Sequence, residues 1–288
     1  MDPAVNLPPL DVPALLRAYA LRPKKGLGQN FLVDPAALSR VAAAAEIGPG
    51  DVVLEIGPGL GSLTRYLAHA ARRVVAVELD GSLFPALRQV LAGYDNVTLI
   101  QGDILDLDLA ALVGSGGYVV AANIPYYITS AVIRHLLDRS PGQGEGAAAA
   151  RPERITLTVQ KEVGQRMIAQ PGEMNLLALS VQVFGAPRLA ASIPAGAFYP
   201  VPDVDSSVVC IDLYPQPLIA EASLDRFFEL VRAGFHQKRK KLRNALSAGL
   251  RVSPLEIETR LWASGIDPGR RAETLSLEEW KTLVFHPF

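Results

Sequence analysis

Cysteine is almost absent. Cys210, set in an apolar alternation, is the single one among 288 residues, which excludes a disulfide framework and makes a cytoplasmic location the expectation. The four histidines, His69, His135, His236 and His286, are scattered without ligand spacing, so the sequence offers no metal site. Long apolar runs are missing too: no window approaches the roughly 20 apolar residues of a membrane span. The opening MDPAVNLPPLDVPALLRAYALRP has early acids and prolines in place of the basic-then-apolar order of a signal peptide. Nor is there an excess of either charge. A formal net charge of −1 leaves any case for a nucleic-acid partner to local clusters.

From residue 51 short apolar, β-branched runs alternate with helical patterns. Strands are predicted at 51–56, 73–78, 97–101, 118–122 and 154–160, with helices between them, for example 61–70 and 82–92. This order builds a parallel sheet covered on both faces. A further helix fits 174–184, and 187–193 and 206–213 read as two closing strands separated by a Pro-rich loop. The stretch SPGQGEGAAAARPE, 140–153, has few large apolar residues and reads as a surface loop. After about residue 215 the pattern becomes helical with charged faces, a small C-terminal all-α domain.

VVLEIGPGLGSLT sets Gly57, Gly59 and Gly61 directly after the first strand, where glycine permits close ligand approach beside a helix N-terminus. A dinucleotide fingerprint would have a third glycine where Ser62 stands, which weakens a NAD reading. Glu78, Asp103 and Asn123 end the next three strands, and side chains at such ends project into one crevice of an open α/β sheet. Singly, each also fits a cap or turn. In series they fit a ligand with an adenosine and no pyrophosphate, S-adenosylmethionine. The fourth strand stops abruptly at Asn123-Ile124-Pro125-Tyr126, then Tyr127, which fits either a turn or a pocket for a flat polar ring. Arg232, Lys238, Arg239, Lys240, Lys241 and Arg243 crowd into RAGFHQKRKKLRNAL with no acid between them. Such a cluster is either a solvated helix face or a phosphate-binding surface.

The motifs KKGLGQNFL (24–32), EIGPGLG (55–61), VELD (77–80), GDILDLD (102–108), NIPYYITS (123–130), AFYPVPDVDSSV (197–208) and KRKKLRNAL (238–246) stand in this order. Together they resemble the ribosomal RNA adenine dimethyltransferases, the KsgA family, over about residues 21–287. The resemblance implies a Rossmann-like class I methyltransferase sheet over 1–215, with 1–22 an N-terminal extension, and a helical RNA-binding domain over 216–288. It implies that Asn30 and Leu32 close over S-adenosylmethionine, with Gln29 and the pair Lys24-Lys25 just before them, and that Gly57, Glu78, Asp103 and Asn123 line it. The base clamp it implies uses the Asn123 side-chain oxygen and the Ile124 carbonyl on the target amine. Pro125 stiffens that loop, Tyr126 stacks on the adenine, and Phe198 meets its other face. The expected activity is dimethylation of two adjacent adenines near the 3′ end of 16S rRNA, in a small ribosomal subunit or its precursor, by a cytoplasmic monomer. The alternatives are an Erm-type 23S rRNA adenine methyltransferase and a non-catalytic ribosome-assembly factor. The chain departs from the family at Asp203, where lysine is frequent, and in a long 140–153 segment.

Overall fold

The computed structural model describes residues 7–114, 116–124, 129–137, 151–237 and 239–285. The chain opens with helix α1 (Val12–Ala18), capped by Asp11, whose Oδ1 accepts the Ala14 N–H at 2.9 Å. Strand β1 (Phe31–Leu32) leads into α2 (Pro35–Ala44), capped in the same way by Asp34. Then follow β2 (Val52–Ile56), α3 (Ser62–Ala70), β3 (Arg73–Glu78), α4 (Phe84–Leu91), β4 (Val97–Gln101), α5 (Leu109–Val113), β5 (Tyr118–Asn123) and α6 (Thr129–Leu137). The chain continues through β6 (Pro152–Gln160), α7 (Lys161–Met167), α8 (Leu176–Gln182), β7 (Gly185–Ile193), β8 (Phe198–Tyr199) and β9 (Ser206–Leu213). Four helices close it: α9 (Glu221–Phe235), α10 (Leu242–Leu250), α11 (Pro254–Ala263) and α12 (Leu277–Phe285).

Seven strands form one mixed sheet in the order β4-β3-β2-β5-β6-β9-β7. β2 to β6 pair in parallel, and β9 runs antiparallel to β6. β2 is buried along its whole length, as a central strand covered on both faces must be, whereas β4 at the edge is half-buried. The chain winds from β2 outward through β3 to β4, then returns to the other side of β2 with β5. That reversal opens a crevice beyond the carboxyl ends of β2 and β5.

The predicted strands appear within two residues of their expected ends, including 73–78, 97–101 and 206–213 as read. The Pro-rich segment between the closing strands is not plain loop: its β8 pairs antiparallel with β1, Phe31 opposite Tyr199 and Leu32 opposite Phe198. The loop expected over 140–153 falls outside the described residues up to 150, and Pro152 and Glu153 already belong to β6. The extension expected over 1–22 carries α1, whose Val12 and Leu16 bury against Phe31, Leu60, Leu83 and Ala86.

The chain divides into two compact units, 1–164 with 188–213, and 165–187 with 214–288. The second therefore takes in α8 as well as the C-terminal helices. Trp280 is its largest fully buried side chain and stacks on Phe235 at 5.8 Å. Helices α9 and α10 approach so closely at Gly249 that a Cβ there would lie 2.5 Å from the Ala233 Cβ and 2.6 Å from its Cα. Neither atom can swing aside, so the clash outweighs the helix propensity that alanine gains over glycine. We expect Gly249→Ala to destabilise the protein by about 1–3 kcal/mol. Gly93→Ala, with no atom within 4 Å of the added methyl, should be close to neutral. Urea unfolding of both variants checks this contrast.

Candidate active site

A cavity occupies the crevice and collects the strand-end residues of the acid series. Gly57 after β2, Glu78 at the end of β3, Asp103 after β4 and Asn123 at the end of β5 all line it. Its far wall is the segment 27–32, so Asn30 and Leu32 line it as well, together with Ile124. All six residues singled out for the cofactor thus share one cavity.

The turn after β2 depends on glycine. Gly57, Gly59 and Gly61 all have positive φ (73°, 60° and 85°), and a Cβ on Gly59 would sit 2.9 Å from the Phe31 ring. Phe31 therefore seats the 27–32 segment directly on the glycine turn. Glu78 fastens that turn from the other side. Its Oε2 accepts the Gly59 N–H at 3.0 Å and its Oε1 the Asp80 N–H at 2.8 Å. Burial raises its pKa, and these amide bonds partly offset the rise. Each carboxylate oxygen retains a second lone pair for a ligand hydroxyl. Asp103 performs both of the roles open to it: Oδ1 accepts the Leu105 N–H at 3.0 Å as a cap, while the residue lines the cavity.

Asn123 is half-buried, and its Nδ2 donates to the Asn30 carbonyl at 3.3 Å. That bond engages one N–H of the amide, and Oδ1 has no partner among the described residues. Pro125, Tyr126 and Tyr127 lie outside the described residues. Phe198 does not line the cavity. It is 2% exposed, opposite Leu32 in the β1–β8 pair, and packs in the apolar cluster with Val41 and Ala197.

Sequence reasoning missed Glu55. It sits inside β2 at 1% exposure, lines the cavity, and its Oε2 finds no hydrogen-bond partner among the described residues. Burial raises its pKa to about 8; the nearby Thr64 hydroxyl opposes that shift and the Glu78 carboxylate adds to it. An acid in the middle of the otherwise apolar VVLEI was the signal. Among the described residues the cavity lining therefore holds three carboxyl groups, Glu55, Glu78 and Asp103, and no lysine, arginine or histidine. With Glu55 held neutral by burial, Glu78 and Asp103 still disfavour a pyrophosphate and favour a cationic ligand. Among the described residues no group of His, Cys, Asp and Glu is arranged to hold a metal.

In the second unit Arg232, Arg239, Lys240 and Lys241 are exposed and make no ion pair among the described residues, while Arg243 pairs with Glu258 at 2.6 Å. Lys238 lies outside the described residues. The first two amides of α10 already donate to the Arg270 and Pro268 carbonyls, so an anion here meets side chains. Positive charge at a helix N-terminus is unfavourable on its own and would be relieved by phosphate.

A parallel sheet reversing at β2 and β5, with a glycine turn, a series of strand-end acids and a terminal asparagine around one acidic cavity, defines the Rossmann-like class I methyltransferases. A known 23S rRNA methyltransferase, ErmE, superposes with a TM-score of 0.70 and 29% identity, covering 89% of this chain and 99% of that one. A dimethyladenosine transferase from Plasmodium falciparum gives the same score at 24% identity, covering 88% and 95%. The sequence profile of the ribosomal RNA adenine dimethylases matches residues 20–285, and the chain belongs to that family. Relatives named ribosomal RNA small subunit methyltransferase A, from Dehalococcoides mccartyi and Moorella thermoacetica, share 46% and 44% identity. They cover 93% and 94% of this chain and 90% and 94% of their own.

The pH dependence of stability follows from Glu55. Folded, its carboxyl stays protonated up to about pH 8; unfolded, it ionises near 4.5. The folded state thus binds the extra proton in that window, and stability falls as pH rises through it. We expect Glu55→Gln to lack this loss, so that its stability gains on wild type from about pH 4.5 to 8. Parallel urea midpoints for the two proteins across that range would contradict the assignment.

Proposed function

We propose that this chain uses S-adenosylmethionine to convert two adjacent adenosines near the 3′ end of 16S rRNA into N6,N6-dimethyladenosines, and that it acts within a small ribosomal subunit or its precursor. The observation that carries this reading is a cavity lined by Glu55, Glu78 and Asp103 that opens beside an asparagine whose side-chain oxygen has no partner among the described residues. S-adenosylmethionine supplies a methyl group on a sulfonium. Glu78 accepts the ribose hydroxyls, and Asp103 offers its second oxygen to a polar edge of the nucleoside. Gly57 allows the ligand to lie against the backbone, and Asn30 and Leu32 cover it.

The exocyclic amine of adenine is a poor nucleophile because its lone pair is delocalised into the ring. Asn123 Oδ1 and the Ile124 carbonyl accept its two N–H bonds, which aims the lone pair at the methyl group and favours the positive charge that develops on nitrogen. Pro125 stiffens this loop and Tyr126 stacks on the base, a contact worth about 1–3 kcal/mol. The nitrogen releases its proton to solvent after the methyl arrives, so the site needs no strong base. A second round yields the dimethylated product. Because the amine must leave any helix to enter the clamp, the target lies in a single-stranded or easily opened segment. Arg232, Lys238, Arg239, Lys240, Lys241 and Arg243 then supply phosphate contacts, with Arg243 shared with Glu258. A monomer in the cytoplasm suffices for these steps. The small-subunit names of relatives at 44–46% identity favour this target over the 23S rRNA named for the structural neighbour at 29%.

Asn123→Ala removes the orienting oxygen together with the Nδ2 bond to the Asn30 carbonyl. We expect methyl transfer to fall by about 100-fold or more while cofactor affinity changes only about threefold. Single-turnover transfer and calorimetry on the same preparation would separate the two. Near wild-type transfer would overturn the clamp.

A further inference from the structure

The wall of the cavity formed by residues 27–32 hangs on one buried carboxylate that the proposed chemistry does not use. Asp80 follows Glu78 by two residues, and its side chain is 3% exposed. Its Oδ1 accepts the Lys24 ammonium at 2.6 Å and its Oδ2 the Gln29 amide at 2.8 Å. The Gln29 side-chain oxygen in turn accepts the Lys24 backbone N–H at 2.8 Å, which closes 24–29 into a small loop pinned at both ends. Burial alone would raise the Asp80 pKa; hydrogen bonds from Lys24, Ser82 and Gln29 outweigh it and bring it to about 2, so the carboxylate is charged at any working pH.

The loop leads directly to the reacting site. Asn30 follows Gln29, and the Asn30 carbonyl takes the Asn123 Nδ2–H, a bond that restrains the rotation of the side-chain amide. We propose that Asp80, acting through Lys24 and Gln29, is a positioning residue for methyl transfer: it latches the cofactor-covering loop and thereby fixes the orientation of the Asn123 amide. The inference rests on the clamp reading of Asn123. Phe31, seated on Gly59, is a second and apolar anchor of the same segment. Loosening the latch therefore leaves the protein folded and the loop present but imprecisely placed, and misplacement by about an ångström is enough to slow a transfer that depends on alignment.

Lys24 is 49% exposed, so its replacement tests the latch without disturbing the core. We expect Lys24→Met to lower the single-turnover rate at saturating S-adenosylmethionine about tenfold and to weaken cofactor binding. Lys24→Arg, which keeps the charge, should stay within about twofold of wild type. Asp80→Asn should behave like Lys24→Met, and the double variant should be no slower than the slower single one, because both break the same link. Wild-type rates at saturating cofactor for Lys24→Met, or effects that multiply in the double variant, would overturn the latch. Run alongside, Asn123→Ala tells the two failures apart. If it is inactive while Lys24→Met is fully active, the latch alone fails. If it retains full activity, the clamp and the latch fall together.

Discussion

The bidentate hold of Glu78 on two backbone amides is the constraint on which the site depends. One oxygen takes the Gly59 N–H in the turn after β2, and the other takes the Asp80 N–H just past β3. A carboxylate so buried persists only because these donors replace its water. In return it joins β2 and β3 at the ends where the sheet opens. Phe31 can then lie on Gly59, which brings 27–32 across the crevice, and Asp80 lies where Lys24 and Gln29 reach it. The same few ångströms of backbone thus define floor, wall and cover.

The charge of the cavity follows from that arrangement and narrows what it can hold. Glu55 lies opposite Ala76 on the adjacent strand, two residues before Glu78, with Asp103 beyond, and among the described residues no basic side chain answers them from the lining. Burial lifts the proton affinity of the first two. A ligand bearing positive charge favours the ionised form of these acids, whereas the phosphates of a dinucleotide would oppose it. Basic charge is instead placed in the second unit, around the start of α10, where Arg232, Arg239, Lys240 and Lys241 are exposed without ion pairs among the described residues. The near-zero net charge of the chain conceals this division of labour.

Much of this was legible before any coordinates. The central strands read clearly because a parallel strand covered on both faces must be a continuous apolar run, as VVLEI and YVVAA are. Glu78, Asp103 and Asn123 were legible because polar residues that end such runs face the crevice. The β1–β8 pair was not, since two-residue strands far apart in sequence leave no periodicity to detect. Glu55 escaped notice because it lies within its strand, whereas the acids singled out stand at or just past strand ends. Asp80 also caps the turn that follows it, accepting the Ser82 N–H at 3.0 Å.

The most direct test of the account is methyl transfer from labelled S-adenosylmethionine to undermethylated small and large ribosomal particles, followed by mass spectrometry of the modified nucleotides. The account predicts two adjacent N6,N6-dimethyladenosines in 16S rRNA and none gained in 23S rRNA. Methyl groups appearing on a large-subunit adenine, or no transfer to either particle, would contradict it.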